Sequence, residues 1–365
     1  MNIGAFYVHI PFCRSKCNYC DFVSADYGDK TADYADRYLE ALVREFSHRL
    51  PSTADRHPTT VYIGGGTPSM LSEKQIKFLF ETLLDPASVN LNPDLEITFE
   101  ANPESITEEK LRTLKTSGVN RLSLGLQSFD DDFLRFLGRA HTKDDFLTAF
   151  GLARGAGFKN INVDLMFGIP GQTFRDWSES LESAIRLEPE HISVYCLTIE
   201  EGTNFKKYGV VTDDDLSAYM YRLAIEFLKK SGYVHYEISN FSRPGRECAH
   251  NINYWRNGQY LGLGLSAVSY IDGIRIKNTE NLEDYLAGKL HIDFEKLDDE
   301  RKLSENLILG LRLTEGIRLS DTILEKYSSQ INNLKNNGLL EQQENILKLT
   351  DNGIMFANSV FREFL

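Results

Sequence analysis

Three things are scarce in this 365-residue chain: cations in excess, a long apolar run, and cysteine outside one short stretch. Lys and Arg number 40 against 53 Asp and Glu, giving a formal charge of −13. A field of that sign repels phosphate backbones, so nucleic acid is not expected as the main partner, and only a local basic groove could reverse that. The stretch Met1 to Ile10 lacks the basic start and apolar run of an export signal, and no window reaches the length of a membrane span. The expectation is a cytoplasmic protein, with peripheral contact to a membrane at most. Internal repeats, low-complexity tracts and heptads are also missing. Three of the five cysteines crowd into Cys13, Cys17 and Cys20, while Cys196 and Cys248 stand alone. In a reducing compartment that crowding points to metal ligation or redox chemistry and excludes a disulfide framework.

What is present suits one large core and a small second domain: 42% of residues are hydrophobic and 25% charged. Short β-branched or apolar runs at Ala5 to Ile10, Thr60 to Ile63, Glu96 to Glu100, Arg121 to Leu126, Asn160 to Leu165 and His191 to Leu197 read as strands. Amphipathic stretches between them, such as Tyr34 to Leu50 and Phe174 to Leu187, read as helices. Six alternations predict an α/β fold, a partly open parallel (β/α)6 barrel, because each strand is followed by a crossover. In such barrels the chemistry lies at the C-terminal strand ends, where the cysteine cluster, Gly64 to Pro68, Glu100, Gln127, Asp164 and Thr198 all fall.

After a helix at Asp213 to Ser231 the rhythm breaks into a Tyr-, Asn- and Gly-rich region, Tyr233 to Ile276. A linker is expected near Asn278 to Glu280. A small winged-helix-like α+β domain should follow, with a wing over Gly338 to Leu349 and a helix capped at Thr350 or Asp351. This divides the chain into 1–232, 233–280 and 281–365. The acidic charge favours a packing or lid role for the last part over DNA binding.

The run Cys13-Arg14-Ser15-Lys16-Cys17-Asn18-Tyr19-Cys20 directly follows a strand. A loop of this length can bring three thiolates to an iron–sulfur cluster and leave one iron open. Zinc is the alternative, with His9 or a distant fourth ligand, but no second CxxC or HxxxH pair accompanies it.

This run resembles the CxxxCxxC signature of the radical S-adenosylmethionine superfamily. Gly64-Gly65-Gly66-Thr67-Pro68 is similar to that superfamily's glycine-rich motif for the methionyl amino group, and glycines after a strand let backbone approach a ligand closely. Further segments, Thr98 to Pro103, Gly125 to Phe129, Leu137 to Arg139 and Val163 to Gly171, resemble one branch. That branch holds oxygen-independent coproporphyrinogen dehydrogenase and the HemW-type haem chaperones. The resemblance implies a [4Fe-4S] cluster on Cys13, Cys17 and Cys20. It also implies S-adenosylmethionine held by Gly65, Gly66 and Thr67, by Glu100 at the ribose or methionyl part, by Arg139 at the carboxylate, and by Gln127 and Asp164 at the adenosine end. Tyr7 and Phe22 are candidate walls of that cavity, with a place in the core as the alternative for either. Taken singly, each polar residue reads as a cap or an ion-pair partner.

Within the branch, three features depart from the dehydrogenase. Cys20 is followed by Asp21-Phe22 and not by a further cysteine two positions on, the long segment before the first strand is missing, and Cys248 to Trp255 contains the HNxxYW motif of the HemW type. The resemblance then implies haem as a third bound group, with His250 as a ligand and Cys248 as the alternative. It also implies apo-haemoprotein clients, delivery at a membrane face, and a homodimer. Read without the family, His250 is a hydrogen-bonded structural histidine. A coproporphyrinogen III decarboxylase is the second reading, and an RNA-modifying radical enzyme, disfavoured by charge, the third.

Overall fold

Alternation of side chains along six strands decides the architecture. In the computed structural model these are β1 (Ala5–Ile10), β2 (Thr60–Gly65), β3 (Glu96–Ala101), β4 (Arg121–Gln127), β5 (Ile161–Phe167) and β6 (His191–Cys196). The helices between them are α1 (Thr31–Arg49), α2 (Glu73–Leu83), α3 (Glu108–Thr116), α4 (Asp131–Leu137), α5 (Lys143–Gly155) and α6 (Phe174–Arg186). The structure describes residues 3–25, 28, 31–49, 58–84 and 94–365. Leu50, an expected helix end, lies outside them. Helix starts follow local chemistry: Ser72, Thr142 and Thr173 each form a reciprocal capping box at α2, α5 and α6.

On every strand one face joins the core beneath the helices, and the other faces inward. Val61 and Ile63, Leu122 and Leu124, Val163 and Leu165, Ile192 and Val194 are core residues. Their neighbours Tyr62, Arg121, Ser123, Asn162, Asp164, Ser193 and Tyr195 line an internal cavity of about 430 Å³. Parallel barrels ordinarily fill that space with layers of branched apolar side chains. Here the interior is polar and stays open.

Strands β1 to β6 run parallel in chain order, as expected. The sheet as a whole is mixed. The region 233–280, expected to break the rhythm, supplies β7 (Val234–Glu237), β8 (Asn240–Ser242), β9 (Tyr260–Leu263), β10 (Val268–Ile271) and β11 (Ile274–Asn278). Ahead of these lie α7 (Asn204–Lys207) and α8 (Asp214–Lys230), and among them α9 (Ala249–Trp255). With β12 (His291–Lys296), which follows α10 (Leu282–Leu286), they complete twelve strands in the order β12-β11-β10-β9-β1-β2-β3-β4-β5-β6-β8-β7. β9 is parallel to β1, and β8 is antiparallel to β6. Antiparallel pairs therefore enter on both sides, β8 on β6 directly and β10 on β9 one strand further out, a feature that short strands with weak alternation did not announce.

The linker expected at Asn278 to Glu280 is corrected: Asn278 is fully buried, its amide donating to Glu45 Oε1 and Gly264 O at 2.7 Å each. A polar residue in a linker would face water. This one completes a buried ion-pair network with Arg49, which donates to Asn278 Oδ1 at 2.6 Å.

The remainder is a small α+β unit: α11 (Asp299–Gly310), β13 (Ile317–Arg318), α12 (Asp321–Asn336), β14 (Leu340–Gln343), β15 (Ile346–Leu349), α13 (Asp351–Met355) and α14 (Ala357–Arg362). The wing is the β14–β15 hairpin, turned by Glu344 at φ 53°, and Thr350 caps α13. It packs on the flank of the barrel: Thr314 Oγ1 donates to His235 O, and the Arg312 guanidinium covers the Trp255 ring at 4.1 Å.

Candidate functional site

The loop after β1 is pinned so that its cysteines face the cavity. Cys13 N donates to Ala25 O at 3.1 Å and Ala25 N to Pro11 O at 2.9 Å, closing the loop's base. His9, at the end of β1, ties the loop again through Nε2 and Val23 O at 2.8 Å. At the far side Asn18 N donates to Leu137 O at 2.9 Å. Cys13, Cys17 and Cys20 all line the cavity. Burial pushes the Cys13 thiol up, and the Cys20 thiol to about 11. Thr67 Oγ1, which donates to Cys13 Sγ at 3.5 Å, opposes the rise at Cys13, and Arg139 Nη1 donates to Cys17 Sγ at 3.6 Å.

The glycine turn after β2 presses against this loop. Gly66 N donates to Ile10 O at 2.8 Å and Thr67 N to Phe12 O at 2.7 Å. A Cβ on Gly66 would lie 2.9 Å from Phe12 O and 3.0 Å from Cys13 Sγ, and Gly65 sits at φ 115° with the His9 ring where a Cβ would be. Only glycine fits both demands.

Around the rim, Glu100 accepts from Tyr62 OH at 2.7 Å and from Gly65 N at 3.2 Å. Burial lifts its carboxyl to about 7, against the pull of those two hydrogen bonds. Arg139 donates from Nη2 to Asn102 Oδ1 at 2.6 Å and to Gly125 O at 2.9 Å, while its buried Nε has no protein partner. Asp164, raised by burial, accepts from Asn162 at 2.8 Å and from Ser123 at 3.4 Å. Gln127 stands at φ 72° where the β4–β5 register shifts, which turns its side chain to the cavity wall. The structure thus brings together Cys13, Cys17, Cys20, Gly65, Gly66, Thr67, Glu100, Gln127, Arg139 and Asp164 on one cavity.

Two expected residues lie apart. Tyr7 lines a neighbouring hollow of about 340 Å³ with His9, Phe22, Tyr254 and Tyr260, and its hydroxyl meets His9 Nδ1 at 3.1 Å. An inward position on β1 does not reach the cysteine-lined cavity, because the rings of Tyr7 and Tyr62 stack at 6.3 Å between the two spaces. His250, 1% exposed, engages both ring nitrogens: Nδ1 meets Thr60 Oγ1 at 2.8 Å and Nε2 meets Tyr254 OH at 3.1 Å. Burial drops it to about 3, so it is neutral. To ligate a metal, one of these two hydrogen bonds must open.

Several wall residues escaped the sequence reading: Tyr62, Asn102, Arg121, Tyr195 and Asn251. Strand alternation alone places three of them, Tyr62, Arg121 and Tyr195, on the inward face, while Asn102 lies just beyond the end of β3. Asn251 could not be found that way, since it arrives on α9.

Comparison with known proteins places these features. Residues 7–184 match the Radical SAM superfamily and residues 297–356 the HemN C-terminal domain. The protein named "Heme chaperone HemW" of Bacillus subtilis is 38% identical over 98% of both chains. The chain belongs to the HemW family of the radical SAM superfamily. The Escherichia coli HemW is 34% identical, over 99% of this chain and 98% of its own. Among solved structures, the coproporphyrinogen III oxidase HemN of Escherichia coli, described as a radical SAM enzyme, is 26% identical. It superposes with a TM-score of 0.86 over 100% of this chain and 90% of its own. Membership of the superfamily implies a [4Fe-4S] cluster and S-adenosylmethionine. The donor set of this HemW-family chain fits both. Three thiols, Cys13, Cys17 and Cys20, share one cavity with the glycine turn and the polar rim. A cluster asks each thiolate for a different iron. No helix among the described residues is long and apolar enough to cross a membrane.

Proposed function

We propose that this chain is a haem chaperone that takes up haem and passes it to apo-haemoproteins, on a barrel holding a [4Fe-4S] cluster and S-adenosylmethionine. The observation that carries this reading is its likeness, over nearly the whole length of both chains, to proteins named haem chaperones. Asp21-Phe22 after Cys20 and the His250 to Trp255 segment support it, as the points where the chain leaves the dehydrogenase pattern.

In this reading Cys13, Cys17 and Cys20 hold three irons. Gly65, Gly66 and Thr67 take the amino end of the cofactor, Glu100 its ribose or methionyl part, Arg139 its carboxylate, and Gln127 and Asp164 the adenosine. Bound together, cluster and cofactor supply one-electron chemistry at the sulfonium. Glu100 and Arg139 orient the ligand, and the buried walls exclude water. Haem is the cargo. It would lie against the aromatic hollow beside α9, with Tyr7, Tyr254 and Tyr260 as walls, and His250 Nε2 would reach the iron once its Tyr254 bond opens. Clients at a membrane face and pairing of two chains belong to the same proposal.

The test is a haemin titration of anaerobically reconstituted protein, followed by transfer to an apo-haemoprotein. Haem binding without any transfer would count against a chaperone. The likeness to HemN keeps a second reading alive, decarboxylation of coproporphyrinogen III. Formation of protoporphyrinogen with consumption of S-adenosylmethionine, by protein that does not bind haem, would establish that reading instead.

A further inference from the structure

Tyr62 stands where the cofactor site and the α9 segment meet. Its hydroxyl donates to Glu100 Oε1 at 2.7 Å, while Glu100 Oε2 accepts from Gly65 N at 3.2 Å. Its ring stacks on the His250 ring, with centroids 5.0 Å apart and planes at 30°. A Cβ on Gly64 would meet both Tyr62 and Glu100 at 2.9 Å, so the pair is packed without slack.

His250 is itself held at the opposite ends of the same two strands. Thr60, the first residue of β2, meets its Nδ1 at 2.8 Å. Glu96, the first residue of β3, accepts from His250 N at 3.1 Å and Ala249 N at 3.0 Å. So β2 and β3 carry α9 at their N-terminal ends, and Gly65 and Glu100 at their C-terminal ends. Tyr62 lies between and contacts both.

We propose that Tyr62 is a positioning residue: it sets the Glu100 carboxylate in the cofactor pocket, and it makes that setting depend on how α9 is seated. Displacement of His250 tilts the stacked ring, and the hydroxyl moves with it. By linkage, whatever binds at α9 changes affinity for S-adenosylmethionine, and the reverse holds by the same factor. If α9 is the haem segment, as the proposed function has it, haem occupancy is reported to the cofactor site.

The test uses full-length, cluster-reconstituted protein and anaerobic equilibrium dialysis of S-adenosylmethionine across pH. Tyr62→Phe keeps the ring and removes the hydrogen bond to a charged acceptor, so affinity should fall about ten-fold or more. The pH midpoint of binding should also rise, because Glu100 loses the donor that favours its charged form. The other groups facing that carboxylate, Asp164, Arg121, Tyr7, Tyr195 and the Gly65 amide, are unchanged. A purely structural tyrosine would lower the melting temperature and leave the midpoint in place.

Thr60→Val loosens His250 without touching the pocket. It should weaken cofactor binding several-fold in the parent and have no effect in the Tyr62→Phe background. If Tyr62→Phe lowers the melt, Thr60→Val in the parent still carries the test. Binding within two-fold of the parent in both variants, or a Thr60→Val effect of equal size in both backgrounds, overturns the proposal. These arms contain no haem, so their failure leaves the chaperone reading standing. Haemin that binds the parent yet leaves cofactor affinity unchanged would overturn the coupling alone.

Discussion

Replacing Glu100 with Gln should make the cofactor-free protein more stable at alkaline pH while removing most of its affinity for S-adenosylmethionine. The carboxyl is lifted from 4.5 to about 7, burial being the largest cause. An acid raised in the folded state binds its proton more tightly there than in the unfolded chain. Its folded form therefore loses stability as pH climbs from the unfolded value through the folded one, and below both values nothing is lost. At about 1.4 kcal/mol per pH unit, the full cost is about 3 kcal/mol once pH is well above 7. Gln carries no charge to bury, so the variant and the parent should unfold alike near pH 4.5 and diverge by up to that amount near pH 8.5. With an unfolding entropy of about 2.1 cal/mol/K per residue, 3 kcal/mol is about 4 °C in melting temperature for a chain this long. Calorimetry of cofactor-free protein across pH measures it, alongside dialysis of the cofactor on reconstituted samples. A variant less stable than the parent at pH 8.5, or a difference that does not change with pH, would refute the argument that burying this charge is costly.

Other outcomes are expected with simpler assays. Replacing Cys13, Cys17 and Cys20 with Ser should abolish iron and labile sulfide in reconstituted protein, whereas Cys196→Ser, a change to an exposed thiol at the end of β6, should retain both. Gly66→Ala drives a Cβ to 2.9 Å from Phe12 O and should reduce cluster retention, read as iron lost on desalting, with little change in far-ultraviolet dichroism. Arg139→Gln removes the donor to Cys17 and to Gly125 O, and should weaken S-adenosylmethionine binding by about ten-fold or more, with iron content near the parent's. His250→Ala should shift the haem Soret band while the cluster persists, and an unchanged spectrum would place the haem away from α9.

Much of the barrel was legible because its strands alternate. Val61 and Ile63 against Tyr62, or Val163 and Leu165 against Asp164, is a pattern that assigns both the strand and its inward face. The cysteine spacing and the glycine run carried the site. What remained hidden had physical reasons. Alternation puts Tyr62 on the inward face, but the sequence does not say that an inward ring there borders a polar cavity. The mixed flanks were hidden because strands of three to five residues, such as Asn240–Ser242, have too few positions to show a period. Asn278 looked like a linker because its partners, Glu45 and Arg49, lie more than two hundred residues away in sequence. Tyr7 was a candidate wall of the cofactor cavity, but the stacked Tyr62 ring stands between them.

The polar lining of the barrel has a consequence for the life of the protein. Where most barrels are cemented by their own branched side chains, this one keeps an open cavity at its centre, so a ligand bound there would be partly core. A ligand that binds only the folded state adds RT ln(1 + [L]/Kd), about 2.7 kcal/mol at a hundred-fold excess over Kd. Starved of its cofactor, the chain should open more often and be removed sooner by proteases. Its abundance would then follow the cell's supply of S-adenosylmethionine and intact iron–sulfur clusters, without any dedicated sensor.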